Sequence, residues 1–489
     1  MILSVTAGYL WLPVKRTNPV VKLHFHAEGR KFQEIDIHLG YDHAEYYAPM
    51  DLHHFIGQDI EVSGDIPDEY LKNLSFYNIT PDTDYTLRPL LHFTACTGWT
   101  NDPNGLVFDG GTYHLFYQWN PYGTEWGNMH WGHAVSRDLI AWEHKGVALE
   151  PDIHGTVYSG SAWPDRENAA GFGKDALLFF YTASGGRNQW SVEAGNPHAQ
   201  RLAVSTDHGE TLRKHGLILD HIAGENRDPK VFYHAPSNAY IMALYLDCNE
   251  FALFRSADLL HWTESQRFSA ETMWECPDLF ELPVENQPGE TRWVFWSAGG
   301  TYMVGRFDGF RFTPESDVKK AYDTELPYAA QTYAGIKGRK VSIAWLRTTN
   351  NNGYFRGMMS IPAELSLVCQ DSSYQIRFRP ASELWSHFEQ TQVFSPDDGS
   401  ANIPLSGRPV IVKISWSSEH AKTLQIGKKV IQTGQNSNGT ILIIDHGIIE
   451  YFDREGLVYG AVEADERILW EKVVIPESVK NIALFEYAK

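Results

Sequence analysis

Short apolar runs of strand length recur along the whole chain, whereas long stretches of helical periodicity are scarce. One run is stronger than its neighbours and returns at intervals of roughly 50–65 residues. Its five copies are Tyr113–Trp119, Ala176–Ala183, Ala239–Leu246, Arg292–Ala298 and Arg339–Leu346. Because such intervals are typical of four-stranded propeller blades, the pattern predicts a five-bladed β-propeller over about residues 86–365.

A second repeated segment follows the strong strands. SRDLIAW occupies Ser136–Trp142, SADLLHW occupies Ser256–Trp262, and a degenerate copy starts at Ser205. Ser and Asp favour tight turns, and Trp favours packing. We therefore expect an outer hairpin in each blade, with its Trp packed between blades.

The two flanks lack this repeat but keep the alternation of strands. Residues 1–85 contain the candidate strands Lys22–His26 and Glu34–Leu39 and are predicted to form a small extra β domain. Residues 366–489 contain four candidate strands separated by Gly, Asn and Asp, which predicts a β-sandwich. Those strands are Tyr374–Phe378, Val410–Trp416, Thr440–Ile444 and Ile448–Phe452. The predicted fold class is all-β throughout.

Each blade should begin with an inner strand that lines the central axis. The candidate inner segments are Asn101–Phe108, Tyr158–Trp163, Arg227–Tyr233, Glu275–Leu282 and Tyr328–Gly335. Three of them carry a carboxylate at matching ends, namely Asp102, Asp228 and Glu275. Equivalent positions of radial copies face the same axial mouth, so these three acids are predicted to converge.

Clustered carboxylates repel one another and divide their protons unequally, as a glycosidase requires of its acid and its nucleophile. Trp274, Cys276 and Pro277 surround Glu275 and favour its protonated form. We expect the amides of Asn101 and Asn104 to hold Asp102 ionised, and Arg227 to keep Asp228 charged. The alternatives are ordinary Asp-Pro and Asn-Gly turns, or a calcium site.

Composition narrows the class of partner. The formal net charge is −20, which argues against nucleic acid and anionic membranes and is compatible with a neutral substrate. The 16 Trp residues suit core packing and stacking on sugars alike. The four Cys residues show no paired CxxC spacing. No segment resembles a bilayer span or an export signal, which predicts a cytoplasmic protein for the chain as given, or a secreted one if a leader has been removed.

Three motifs, WTNDPNG at Trp99–Gly105, RDP at Arg227–Pro229 and WECPD at Trp274–Asp278, resemble the signature segments of glycoside hydrolase family 32. That family contains invertases, inulinases, levanases and fructan exohydrolases. The resemblance continues through Phe116–Trp142, Tyr158–Ala162, Tyr328–Thr332 and Ile343–Leu346. It implies a five-bladed propeller followed by a β-sandwich, and a retaining β-fructosidase that acts on fructans or sucrose.

The resemblance also implies roles for individual residues. Asp102 would be the nucleophile and Glu275 the general acid and base. Asp228 would stabilise the transition state beside Arg227. The residues implied to line the fructose pocket are Asn101, Gln118, Trp126, Ser159, Tyr328 and Trp345. Neither a metal nor a cofactor is expected, and we treat His130 and His133 as structural.

Several alternatives stay open at this point. A fructosyltransferase or an endo-acting levanase of the same family would share every catalytic residue. A non-catalytic carbohydrate-binding propeller and a glycosidase for arabinose or xylose polymers are disfavoured by the complete motif set. The N-terminal domain, which resembles those of some bacterial levanases, would bind polymer, pack on the propeller or shape its mouth. The loop Arg347–Ser360 is expected to reach that mouth, and the oligomeric state is not readable.

Overall fold

The fold was examined in a computed structural model that describes residues 1–80, 88–349, 354–395, 401–403, 408–416, 422–426, 429–433, 438–464, 473–475 and 479–488. Five antiparallel sheets follow one another along its middle section, and each contains four successive main strands. The fold is therefore all-β, with a five-bladed propeller between two β-rich flanks, as the repeat predicted. No helix in these residues is long and apolar enough to cross a membrane.

The blades share one order, in which each strand pairs with the next. Blade 1 is formed by Gly98–Asp109, Thr112–Asn120, His130–Ser136 and Trp142–Leu149. Blade 2 is formed by Thr156–Asp165, Ala176–Ser184, Ala199–Ser205 and Arg213–Leu219. Blade 3 is formed by Arg227–His234, Ala239–Asp247, Glu250–Ser256 and Thr263–Ser269. The strong strand of the sequence pattern is the second strand in each, where both faces pack against other residues.

Blades 4 and 5 carry short additional strands. Blade 4 is formed by Asp278–Pro283, Thr291–Trp296, Thr301–Phe307 and Phe312–Pro314, with Lys319–Lys320 beside the third strand. Blade 5 is formed by Pro327–Thr332, Lys340–Leu346, Ala363–Gln370 and Ser373–Pro380, with Met358–Met359 on the second strand. The ring closes where Phe108 N–H donates to Ala334 O and Ala334 N–H donates to Leu106 O, both at 2.9 Å.

The repeated Ser-x-Asp segment forms the predicted outer hairpin. In blade 1, Asp138 Oδ1 accepts from the Ser136 hydroxyl at 3.1 Å and from Ala141 N–H at 2.8 Å. In blade 3, Asp258 Oδ1 accepts from the Ser256 hydroxyl at 3.0 Å in the same arrangement. Trp262 then packs edge-on against Phe180 of blade 2, with ring centroids 6.0 Å apart. The turn chemistry and the packing between blades are thus both confirmed.

The N-terminal region folds into two sheets around one core. The four-stranded sheet has the order Ile2–Ser4, Asp59–Gly64, Val21–Ala27 and Arg30–Ile37. The three-stranded sheet has the order Tyr46–Asp51, Tyr9–Val14 and Ser75–Tyr77. Leu10, Leu12, Phe25 and Ile35 form part of the shared core, which also contains Tyr122 of the propeller. Arg30–Ile37 is an edge strand, and blade 1 lies against it.

The C-terminal region is a sandwich of a six-stranded and a four-stranded sheet. The first has the order Phe388–Phe394, Val479–Tyr487, Val410–Trp416, Gly439–Asp445, Ile448–Asp453 and Tyr459–Glu463. The second has the order Ala401–Ile403, Val473–Ile475, Lys422–Ile426 and Lys429–Thr433. One face of the larger sheet packs on blades 4 and 5 through Ile411, Ile443 and Phe452.

The segment Tyr374–Phe378 requires a correction. The sequence pattern placed it in the C-terminal sandwich, but it lies within the strand Ser373–Pro380, which pairs with Ala363–Gln370 in blade 5. The alternation of residues shows that a strand forms but not which sheet it joins. We therefore propose Pro380, rather than residue 365, as the end of the propeller.

A buried ionic cluster joins the propeller to the sandwich. His92, just ahead of blade 1, contacts Asp445 Oδ2 through Nδ1 and Glu450 Oε1 through Nε2, both at 2.9 Å. All three side chains are at most 1 % exposed. Burial lowers the pKa of His92, but the hydrogen bonds with the two carboxylates outweigh it and raise the pKa to about 9. The cluster thus joins the two domains through buried, hydrogen-bonded charges, with one imidazolium between two carboxylates.

Candidate active site

The inner strands of four blades are interrupted at equivalent places. The pairing with the second strand skips two residues between Thr100 and Pro103, between Val157 and Gly160, between Arg227 and Lys230, and between Tyr328 and Gln331. Such bulges re-aim side chains and are frequent beside active sites. The skipped positions include Asp102, Ser159 and Asp228, so the bulges turn these groups towards one axial mouth.

The backbone is strained at the same mouth. Asp228, Glu275, Cys276 and Ala329 have φ angles of 65°, 56°, 42° and 51°. A residue other than glycine in this left-handed region costs about 1–3 kcal/mol. Two of the three predicted catalytic acids thus occupy an unfavourable backbone conformation, which is typical of sites where side-chain placement outweighs stability.

A cavity of about 300 Å³ opens at this mouth. All ten residues that the sequence singled out line it, and the structure brings them together from all five blades. They are Asn101, Asp102, Gln118, Trp126, Ser159, Arg227, Asp228, Glu275, Tyr328 and Trp345. Gln118 also donates to Val157 O at 2.9 Å, which holds its amide in place. Trp126 is 51 % exposed and stands at the rim.

Asp102 lies on the floor, and its neighbours differ in part from those expected. Asn101 Nδ2 donates to Asp102 Oδ1 at 3.2 Å, as predicted. Asn104 does not reach the carboxylate, because its Oδ1 accepts from Gly160 N–H at 3.2 Å. The Ser159 hydroxyl takes that place and donates to Asp102 Oδ2 at 2.6 Å. Burial raises the pKa of Asp102, and these two hydrogen bonds oppose the rise.

Arg227 was expected to hold Asp228, but its guanidinium pairs with Glu275 instead. Arg227 Nη2 donates to Glu275 Oε1 at 2.8 Å, whereas the nearest contact of Arg227 with Asp228 is 3.9 Å. The Tyr328 hydroxyl donates to Glu275 Oε2 at 2.6 Å. Burial raises the pKa of Asp228 to about 7 despite Arg227. Glu275 is 33 % exposed, so the apolar surroundings suggested by its sequence neighbours do not enclose it.

The Cys276 thiol lies beneath the acids. Its Sγ lies 3.3 Å from Asp102 Oδ2 and 3.5 Å from Asp228 Oδ2, and its backbone N–H donates to Asp228 Oδ2 at 3.0 Å. Burial raises the pKa of this thiol, and the neighbouring carboxylates add to the rise. A neutral thiol therefore lies within reach of both aspartates and can donate its single hydrogen to one of them at a time.

Sequence reasoning missed three residues that line the cavity: Tyr158, Arg187 and Glu225. Arg187 is 37 % exposed, Glu225 is 47 % exposed, and the two form an ion pair at the rim. Both lie in loops between the aligned strands, so the blade alignment gave no signal for them. Tyr158 directly precedes Ser159 in an inner strand and could have been found from the same alignment.

The mouth is also lined by the start of the loop Arg347–Ser360. Arg347 Cζ lies 4.6 Å from the ring centroid of Tyr328, in a cation–π arrangement. Tyr354, beyond residues 350–353, contacts Tyr46 of the N-terminal domain edge-on, with ring centroids 6.0 Å apart. The described start of the loop thus packs on the cavity-lining Tyr328, its described end packs on the N-terminal domain, and residues 350–353 lie outside the described residues.

His130 and His133 have ordinary packing partners. His130 Nε2 lies 3.0 Å from Gln33 Nε2, and His133 Nε2 lies 3.1 Å from His114 Nδ1. Within the described ranges no group of three or more His, Cys, Asp or Glu side chains is arranged to hold a metal ion. The expectation that neither a metal nor a cofactor takes part stays a prediction.

The family described as "Glycosyl hydrolases family 32 N-terminal domain" matches residues 92–380, from just ahead of blade 1 to the end of blade 5. The chain belongs to glycosyl hydrolase family 32.

Two curated relatives and one solved structure illustrate the similarity. A levanase of Bacillus subtilis is 35 % identical over 392 residues, which cover 73 % of this chain and 56 % of the levanase. The chain thus spans little more than half of that relative. An extracellular exo-inulinase of Aspergillus ficuum is 32 % identical over 398 residues, covering 68 % of this chain and 73 % of that protein. The crystal structure of an Aspergillus awamori exo-inulinase superimposes with a TM-score of 0.71 at 24 % identity, over 83 % of this chain and 99 % of that one.

Proposed function

We propose that the chain is a retaining β-fructosidase that hydrolyses terminal β-D-fructofuranosyl linkages of fructans or sucrose. The observation that carries the proposal is the convergence of Asp102, Asp228 and Glu275 in one cavity. Retaining glycosidases need a carboxylate nucleophile and a second carboxyl group that first gives and then takes a proton. The side chains in the cavity supply both without any further group.

In the first step, Asp102 attacks the anomeric carbon of the fructosyl unit, and the bond to the leaving oxygen breaks. The hydrogen bonds from Ser159 and Asn101 favour the ionised form that attacks, against the burial that opposes it. Glu275 donates its proton to the leaving oxygen, so the sugar departs as a neutral alcohol.

In the second step, the Glu275 carboxylate takes a proton from water, and the water oxygen attacks the same carbon. The ester bond to Asp102 breaks, which releases fructose and regenerates both carboxyl groups. Two successive displacements retain the configuration. The Tyr328 hydroxyl, at 2.6 Å from Glu275 Oε2, keeps the carboxyl group oriented in both steps.

The proton for this cycle belongs to the cluster rather than to one residue. Three carboxyl groups share one guanidinium, and burial, to which the neighbouring Asp102 and Glu275 add, raises the pKa of Asp228 to about 7 against the effect of Arg227. We propose that fructosyl hydroxyl groups bind to Asp228 and Arg227, which draws Arg227 from Glu275 and leaves the proton on Glu275. Asp228 is then the residue that stabilises the transition state.

The substrate class follows from the pocket and from the relatives. A neutral sugar suits a cavity whose charges are confined to the acids, Arg227 and the rim pair. The names of the relatives, levanase and exo-inulinase, support a fructan substrate.

The sequence prediction of a cytoplasmic protein remains a prediction. One relative is named as extracellular, so both compartments are kept as proposals.

Chromatography of the products from sucrose, inulin and levan tests the proposal. Free fructose should be the main early product, and Asp102→Asn, purified in parallel, should release none. Oligosaccharides as the first products would replace the exo assignment with endo attack, and fructosylated sugars would replace hydrolysis with transfer. Absence of any reaction with all three substrates would contradict the assignment as a fructosidase.

A further inference from the structure

The strand Arg30–Ile37 lies at the edge of its sheet in the N-terminal domain, so its outer backbone groups face the propeller instead of another strand. At Asp36, the side-chain amide of Asn128 bonds to both the backbone N–H and the backbone C=O. Asp36 N–H donates to Asn128 Oδ1 at 2.9 Å, and Asn128 Nδ2 donates to Asp36 O at 2.8 Å. The amide therefore pairs with the edge as a neighbouring strand would.

Asn128 anchors the loop that carries Trp126. Its Nδ2 also donates to Asn120 Oδ1 at 3.1 Å, and Asn120 Nδ2 donates to Glu125 O at 2.8 Å. The loop is thus closed on itself by Asn120 and fixed from outside by Asp36. Asn128 has a φ of 42°, so its backbone conformation is one that Asn and Asp tolerate better than other residues.

The same edge strand holds a second part of the rim. Glu34, which is 5 % exposed, accepts a hydrogen bond from Trp190 N–H at 3.1 Å and one from Lys31 Nζ at 2.7 Å. Trp190 belongs to the helix Gln189–Ala194, which begins two residues after Arg187. Asn188, the residue between, donates through Nδ2 to Asp152 O at 3.0 Å, so the backbone on the C-terminal side of Arg187 is fixed.

Trp126 and Arg187 are the exposed part of the cavity wall, above the buried acids. Both depend on Arg30–Ile37 through single, identifiable side chains. We propose that this edge strand is a positioning element for the leaving-group side of the cavity, so that the N-terminal domain sets how the enzyme handles the sugar beyond the fructosyl unit. Asn128 and Glu34 are the positioning residues. The proposal rests on the proposed function.

Asn128→Asp is the sharpest variant. Asp keeps the acceptor oxygen and the tolerance for φ 42° but replaces the donor to Asp36 O with an oxygen that repels it. Glu34→Ala removes the acceptor for Trp190, and Glu34→Gln restores it. Lys22→Ala is the matched control, because Lys22, on the neighbouring strand Val21–Ala27, donates to the Asp36 side chain at 2.6 Å, and its loss leaves the contacts of the Asp36 backbone with Asn128 intact.

The kinetic readout separates positioning from general loosening. For Asn128→Asp and Glu34→Ala, we expect KM for sucrose and short fructan oligosaccharides to rise about tenfold. The inhibition constant of free fructose should stay unchanged in Glu34→Ala, because Arg187 is not among the residues implied to line the fructose pocket, and in Asn128→Asp it should rise less than KM, because Trp126 is shared with that pocket. Glu34→Gln and Lys22→Ala should behave as the wild type. The proposal would be overturned if KM for every substrate and the inhibition constant of fructose rose by the same factor. It would also be overturned if none of these constants changed.

Hydrogen–deuterium exchange tests the clamp without any substrate. Peptides covering residues 121–129 should exchange faster in Asn128→Asp, and those covering 186–195 faster in Glu34→Ala, with the rest of the propeller unchanged. Unaltered exchange in both would refute the positioning role even in an active enzyme. If the wild type cleaved no fructoside while exchange responded as expected, the proposed function would fail and the structural clamp would stand.

Discussion

The cluster at the sandwich interface and the cluster at the propeller mouth each contain three titratable side chains, and the two are built in opposite ways. At the interface with the C-terminal sandwich, His92 lies between Asp445 and Glu450, and each carboxylate has further donors from backbone or Tyr459. At the propeller mouth, Asp102, Asp228 and Glu275 share one guanidinium and open into a cavity. The first cluster is saturated with partners, whereas the second is short of positive charge.

The difference separates structural from chemical use of buried charge. A saturated cluster has nothing left to offer a ligand, and its members hold one protonation state over a wide pH range. An undersaturated cluster keeps a mobile proton and free acceptor sites, which is what acid–base catalysis requires. Buried titratable side chains thus hold the propeller and the sandwich together at the interface, whereas at the propeller mouth they are available for bond cleavage.

The largest effect should come from Asp102→Asn. Without a nucleophile the fructosyl-enzyme does not form, so turnover of sucrose or levan should fall by roughly 10⁴-fold. Thermal stability should be unchanged or higher, because a buried carboxyl group with a raised pKa is replaced by a neutral amide. Steady-state kinetics and a melting curve on the same preparation measure both. Near-normal turnover would exclude Asp102 as the nucleophile.

Glu275→Gln should have the next largest effect, and its size should depend on the leaving group. With sucrose, the loss of the acid should reduce kcat by roughly 10²–10⁴-fold. With a nitrophenyl fructoside, whose leaving group needs no proton, formation of the fructosyl-enzyme should be nearly normal. Burst kinetics with the two substrates provide the measurement. Equal impairment of that first step with both would argue against a proton-donating role.

His92→Leu should affect the other cluster only. It leaves Asp445 and Glu450 buried without their counter-ion, which should lower the stability by about 3–5 kcal/mol. Turnover per folded molecule should be retained, because His92 lies outside the cavity. Urea denaturation with active-site titration distinguishes the two quantities. If His92→Leu folded with normal stability but had lost turnover, His92 would have a catalytic rather than a structural role, which would contradict the comparison.

The two clusters should also respond differently to pH, with smaller effects than those of the substitutions. The cluster at the sandwich interface should change stability, and the cluster at the mouth should change kcat/KM. Folding raises the pKa of His92 from 6.5 to about 9, so its stabilisation is complete below 6.5 and is lost as the pH rises through 9. The melting temperature should fall over that range, and the fall should be smaller in His92→Leu. At the other cluster, folding raises the pKa of Asp228 to about 7. Above that pH the carboxyl cluster loses the proton that catalysis needs, so kcat/KM should decline. A kcat/KM profile that still rises above pH 8 would contradict the shared-proton scheme.

The sequence predicted the blades and the floor of the cavity for the same reason. Each inner strand repeats one geometry, so aligning the strands placed Asp102, Asp228 and Glu275 at equivalent points, whereas Ser159 and Tyr328 were implied by the family resemblance. The alignment also indicated the outer hairpins, since Asp138 and Asp258 repeat the same turn chemistry. What repeats in the structure was therefore visible as a repeat in the sequence.

The features that the sequence did not predict depend on where a side chain points or which strand it pairs with, rather than on the type of residue. Arg227 directly precedes Asp228 in the chain, but its guanidinium donates to Glu275. Asp228 and Glu275 both have left-handed backbone conformations, which the sequence alone did not indicate. Arg187 and Glu225 lie in loops that repeat nowhere. Ser373–Pro380 has the pattern of any strand, and only its pairing with Ala363–Gln370 assigns it to blade 5. Sequence neighbours did not fix partners in these three cases.

The covalent intermediate tests the central claim most directly. Glu275→Ala, mixed with a nitrophenyl fructoside and quenched in acid, should accumulate protein whose mass is increased by one fructosyl unit, and peptide mass spectrometry should locate that unit on Asp102. A fructosyl unit on another side chain would reassign the nucleophile. Turnover of the substrate with no adduct at any time would contradict a retaining mechanism that uses this cluster.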